Sequence, residues 1–390
     1  MEHAFDRQTD RQTDRQTERK KERKTDRADL GKSEEGREKS ELVSKGQASS
    51  KQSSKSHSLF WVDPERIHWI DMAKAIAIIL VVIGHTVKFG TLPRNFIFSF
   101  HMPLFFILSG YTMHLAANKT DLVKHLKKNV IHLLGPALAI AVISVFARWI
   151  MGEFSWESLW QLTKTMGKAY WWASGVNVRS HPGAGAVWFL FSLFWAKTIM
   201  DAVSVLFPGK KVGYIFAFIG IGGILLGTKG KWLPQNLDVT MTAILFLYLG
   251  IVWKEWKTYV QKYETILFLV AIGIWLYCLS FGLYIEMATR HYPYYATTIV
   301  EALSGTFAVC CLCKAIEANR KIRYVLSFIG MHTLLLFSVH CLDWIAGPVW
   351  SNHGMGTMIV LRTGIVLISG LVFYIIHSNI TGSKMGNFDE

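Results

Sequence analysis

The sequence predicts an all-α integral membrane protein with about ten transmembrane helices and both termini in the cytoplasm. Three observations predict it. Beyond residue 58 the chain is dominated by apolar runs of roughly 20 residues, the length that crosses a bilayer. Lys and Arg concentrate in every second loop between those runs. The long, charged, polar N-terminus does not read as a cleavable secretion signal, so the first apolar segment is expected to act as the insertion signal.

Residues 1–58 form the first unit. They hold 15 of the 42 Lys/Arg and 12 of the 28 Asp/Glu, with almost no large apolar side chains. Such a segment buries too little surface to offset its ordering entropy and is expected to be disordered. DRQT recurs at Asp6–Thr9, Asp10–Thr13 and Asp14–Thr17, and ERKK follows at Glu18–Lys21. GACA repeated in frame encodes Asp-Arg-Gln-Thr, and GAAA encodes Glu-Arg-Lys-Lys. The tail thus reads as translated tetranucleotide-repeat DNA, whose loss or gain of units shifts the frame. That is the pattern of phase variation in bacterial genes for surface structures, and it implies the bacterial inner (cytoplasmic) membrane. The competing reading is a charged tail for lipid or a partner. Because the charge is spread over tail and loops, the net +14 does not point to nucleic acid.

Residues 59–380 form the membrane domain, and 381–390 a short cytoplasmic tail. The apolar segments run over about 68–87, 96–116, 130–150, 187–207, 212–228, 239–256, 264–285, 296–318, 322–346 and 355–377. With the N-terminus inside, the inner loops hold thirteen Lys/Arg, from Lys119, Lys124, Lys127 and Lys128 through Lys210 and Lys211 to Arg323, and Lys384 follows in the tail. The longer outer loops hold eight, among them Arg94, Lys164 and Arg290. The positive-inside rule sets the orientation. Gly223 and Gly227 read as a close-packing pair and Pro136 as a kink in the third span. Cys278, Cys310, Cys311, Cys313 and Cys341 all fall in apolar runs and read as small buried hydrophobes, so no metal is expected.

Ionisable groups inside a bilayer are costly, and each is a functional candidate. Lys74 and His85 stand eleven residues apart on the first span, which puts them on one helix face about 16 Å apart along the axis. Asp71 precedes Lys74 by three and is positioned to pair with it. His101 opens the second span after a short connection, so His85 and His101 are expected to face each other at one depth. Arg148, Glu301, His332, His340 and Arg362 lie within or near the outer half, and Lys197 is expected to pair with Asp201. Trp188 is a further substrate or structural candidate.

IDMAKAIAIILVVIGH (Ile70–His85), FHMPLFFILSGY (Phe100–Tyr111), WFLFSLF (Trp188–Phe194) and IGMHTLLLFSVH (Ile329–His340) resemble, in order, blocks of the membrane-bound acyltransferase-3 family. Within it they are similar to the fucose 4-O-acetylase branch. The family's Arg/Lys-x10-His pattern appears as Lys74 and His85, and His332 stands where Asn is common. The resemblance implies a ten-span fold and transfer of an acyl group, usually acetyl from acetyl-CoA, to a surface or secreted glycan or a lipid-linked sugar. Lys74, with Asp71, would then hold a CoA phosphate at the cytoplasmic mouth. His85 would receive the acyl group or deprotonate the sugar hydroxyl, with His101 or His340 orienting it or sharing the proton. Which histidine does which stays open. The rival class is a proton-coupled transporter or glycan exporter, against which stands the lack of an inverted repeat and of paired broken helices.

Overall fold

The computed structural model describes residues 66–209 and 211–381. The repeat-bearing tail, Lys210, Lys384 and the rest of the C-terminal tail lie outside them. Regular structure among the described residues is helical, apart from the isolated bridges Val178–His181 and Glu286–His291.

The first apolar segment forms α1 (His68–Gly84), which stops where His85 takes over as its last cap. The second is divided. Pro103 has no N–H for the Ser99 carbonyl, and Phe100 leaves helical angles (φ −144°, ψ −24°), so α2 (Leu92–Phe98) ends and α3 (His101–Thr112) begins. Ser99 Oγ accepts a hydrogen bond from Trp275 Nε1 at 2.7 Å, which fixes the break. Asn118 caps α4 (Lys119–Asn129) by accepting from the Asp121 amide at 2.9 Å. α4 continues through a π-helical turn, Val130–Leu134, into α5 (Gly135–Met151). Pro136, expected to kink this span, offers no N–H to the His132 carbonyl, and the ladder widens into the π-helical turn there.

The long connection after α5 holds a helix the apolar pattern did not predict, α6 (Trp156–Trp172), capped by Ser155 and largely exposed. Then come α7 (Trp188–Leu206), α8 (Val212–Thr228), α9 (Leu237–Glu255), α10 (Glu264–Ser280) and α11 (Ala296–Ile316). The ninth expected span is also broken: α12 (Arg320–Met331) and α13 (Thr333–Leu342) meet at His332, which leaves helical geometry (φ −108°, ψ 21°). Its Nδ1 bonds the Phe328 carbonyl at 2.7 Å. α14 (Met355–Thr381) closes the domain.

Among the described residues six helices are long and apolar enough to cross a membrane, and Val212–Thr228 and Glu264–Ser280 are shorter apolar helices. The ten uniform spans read from sequence therefore resolve into fewer full-length ones. The reason is that α1, α8 and α10 are each only 17 residues long and the second segment breaks mid-way, while the broken ninth still supplies Thr333–Trp350. The sequence showed no matched pair of broken helices, and the structure has breaks at Phe100 and His332.

Close backbone approach holds the bundle. Gly110 of α3 lies against the Leu247 backbone, and Gly250 of α9 lies against the Ile107 backbone, so neither can carry a side chain without parting the two helices. Gly223 does the same for α8 on α9, as its motif predicted, and Gly330 for α12 on α1. Phe106, Ile107, Leu190, Met200, Ile244 and Phe246 fill the centre. The outward faces are apolar too: Leu138, Phe218, Leu269, Val360 and Ile368 are each more than half exposed, as a lipid-facing surface requires. Between the helices, Arg290 binds Asp238 at 2.8 Å, Asn236 at 2.6 Å and Ser174 at 2.8 Å, all buried.

Candidate active site

A cavity of about 610 Å³ opens between α1, α3, α4, α7 and α13. One end is basic. Lys74 reaches it from α1, Lys124, His125 and Lys128 from α4, and Lys197 from α7. His132 joins them from the π-helical turn, where the widened ladder turns it into the cavity wall. The Asp201 carboxylate lies beneath this group, accepting from the Ala116 amide at 2.8 Å and meeting His125 Nδ1 at 3.0 Å, with Lys197 a nearby positive charge. The other end is apolar, walled by Val81, Met102, Phe105, Phe189 and Phe337.

Three of the apolar wall residues lie beside a histidine in the chain. Val81 is one turn before His85, Met102 follows His101, and Phe337 is one turn before His340. The His85 and His340 rings are 5.2 Å apart at 34°. His340 Nδ1 is 2.8 Å from Asp343 Oδ2, and Arg362 grips the same carboxylate at 2.7 and 3.0 Å. The third arm of Arg362 donates to the His85 carbonyl at 3.1 Å and to Thr86 Oγ1 at 3.3 Å. His340 and Asp343 are buried. The His85 side of the pair is open to solvent while densely surrounded, as at the floor of a crevice.

His101 does not meet His85 directly. Phe98 stands between them, 6.3 Å from the His85 ring and 4.7 Å from that of His101, while His101 Nδ1 bonds the Ile97 carbonyl at 2.8 Å. The break before α3 carries His101 back under Phe98, and Gly84 leaves room for it, since a Cβ there would sit 2.9 Å from the Phe98 ring. Phe98 also stacks on the Arg94 guanidinium at 3.7 Å. Arg94 is buried and pairs with Glu286 of the α10–α11 connection at 3.2 Å. Burial pushes the Glu286 carboxyl above its usual range, and Arg94 opposes that.

Other expected residues fall elsewhere. Asp71 pairs with Arg66 at 2.9 and 3.1 Å and not with Lys74, because its side chain turns toward the chain preceding α1. Arg148 is exposed, lying over Trp344 at 4.3 Å. Trp188 packs in the core against Phe106 and Phe189. Glu301 is fully buried, and its carboxylate bonds none of the described residues. His332 rests between Phe328 and Tyr374. Sequence reasoning missed Asp343 and the α4 cations. An acid three residues after an intramembrane histidine was the available signal for Asp343, and the Lys124–Lys128 spacing was read only as topology.

The family model described as an acyltransferase domain (Acyl_transf_3) matches residues 67–378. Comparisons with curated proteins and with solved structures give no match. With His85 and His340 brought ring to ring and that model matching nearly all of the membrane domain, the chain belongs to the acyltransferase-3 family of membrane acyltransferases.

Proposed function

We propose that the protein moves an acyl group, acetyl in the first instance, from cytoplasmic acyl-CoA to a hydroxyl of a surface or secreted glycan at the bacterial inner membrane. The observation that carries this reading is the polarity of the cavity. Its basic end suits the phosphates of coenzyme A, which Lys ammonium groups bind as point charges. Its apolar end suits the pantetheine arm, and two of its wall residues, Val81 and Phe337, lie one turn before His85 and His340. The basic end lies on the side of Lys124 and Lys128, which the positive-inside rule assigns to the cytoplasm, with both termini.

The chemistry follows. An acceptor hydroxyl gives its proton to one imidazole of the pair as its oxygen bonds the acyl carbon. The carbon–sulfur bond breaks, and the proton passes to the departing CoA thiolate. In the two-step variant the acyl group rests on His85 before the hydroxyl takes it. Lys74 is the donor-binding residue of this scheme; Asp71 is released from it, since its partner is Arg66.

A second reading has an observation of its own. The breaks at Phe100 and His332 are of the kind that secondary transporters place at a substrate site. Purified protein in nanodiscs given acetyl-CoA and a glycan acceptor separates the two. The acyltransferase releases free CoA thiol in step with acetylated glycan. Absence of both, with uptake of a solute by reconstituted vesicles, would replace it with the carrier.

A further inference from the structure

In a neutral imidazole one ring nitrogen holds the proton and the other a lone pair, and the hydrogen bond made by one decides the role of the other. For His340 that choice is fixed. Its Nδ1 faces Asp343 Oδ2 at 2.8 Å, and Asp343, held by the Arg362 fork, accepts only. Nδ1 therefore carries the hydrogen and Nε2 the lone pair. His85 is different: its ring nitrogens make no hydrogen bond among the described residues, and Arg362 touches only its backbone carbonyl.

Resting on the acyl-transfer reading above, we propose that His340 is the proton-accepting histidine, with Asp343 and Arg362 as positioning residues that set its tautomer and hold His85 opposite. One planar guanidinium does both tasks. Nε and Nη2 take the two oxygens of Asp343, and Nη1 takes the end of α1. A lysine has one point of charge and cannot span them. The arrangement is also balanced in charge. Arg362 neutralises Asp343 at rest, and a proton arriving at Nε2 makes an imidazolium that already has its carboxylate. That proton comes from the acceptor hydroxyl as its oxygen bonds the acyl carbon, and it leaves with the CoA sulfur, or with the His85 ring nitrogen when the acyl group rests there. His340 thus returns to its starting form each turnover.

The test is a double-mutant cycle in nanodiscs, with acetyl-CoA and glycan as substrates. Asp343→Asn should lower kcat by roughly 10²–10⁴-fold, the worth of a positioned base, with KM for acetyl-CoA almost unmoved. In a His340→Ala background the same change should cost less than about twofold, because the two act as a unit. Equal losses in both backgrounds, or an unchanged kcat, would overturn the proposal. Should Asp343→Asn fail to fold, the wild-type protein answers by itself. Ring ¹⁵N spectra of histidine-labelled protein, assigned by loss of the His340 signals in His340→Gln, should show the Nδ1-protonated tautomer; the Nε2-protonated form overturns the proposal. A wild-type protein without thioester turnover would sink the acyl-transfer reading instead, whatever tautomer His340 shows.

Discussion

Lys74→Ala tests the donor end of the cavity most directly. Lys74 lines the basic end, while His85 lies eleven residues further along the same helix, or about 16 Å along its axis. The variant should therefore weaken donor binding and spare the chemistry. A charge-assisted hydrogen bond contributes roughly 1.5–3 kcal/mol, which converts to about 10–150-fold in affinity. KM for acetyl-CoA should rise within that range, with kcat at saturation nearly unchanged, and Lys74→Arg should recover most of the loss. Stability should hold, because Asp71 keeps Arg66 and no buried carboxylate is orphaned. Thiol release measured against acetyl-CoA concentration, with a melting curve on the same preparation, supplies every quantity. A fall in kcat at unchanged KM, or a collapse in melting temperature, would refute the reasoning.

Three further outcomes follow from the same geometry. His85→Ala should insert and bind acetyl-CoA normally yet lose roughly 10²–10⁴-fold in turnover, and a wild-type rate in this variant would remove His85 from the chemistry. Asp71→Asn should lower stability by about 1–3 kcal/mol, as for a half-exposed partner to a buried acid, and leave KM for acetyl-CoA alone; a matching rise in KM would return Asp71 to the donor site. Gly110→Ala should cost at least roughly 1–3 kcal/mol of overpacking, read as a lower melting temperature, because the added methyl meets the Leu247 backbone of α9.

Much of the fold was legible because bilayers admit few structures. Length and apolarity located nearly every helix, and Gly223 announced the packing of α8 on α9. The breaks at Phe100 and His332 were not, since Phe and His continue an apolar run as well as they interrupt it, and Pro103, the one mark in the sequence, is also tolerated within membrane helices. The site was half legible. Helical periodicity drew Lys74 and His85 out as one pair on α1 and its cap. It could not say that Phe98 would separate His85 from His101, because that depends on where α2 stops. Nor could it choose Arg66 over Lys74 for Asp71, two cations of equal charge within reach of one acid.

The π-helical turn at Val130–Leu134 sets an azimuth. It stores one residue more than an α-helical turn, so α4 and α5 share an axis but not a phase. Deleting Ile131 would let the ladder close into ordinary helix and rotate everything before it by about 100°. Lys124 and Lys128 would then swing away from the cavity while keeping their charge, their depth and their side of the membrane. The surplus residue works like an offset in a gear train: the teeth are unchanged, but without it they face the wrong wheel.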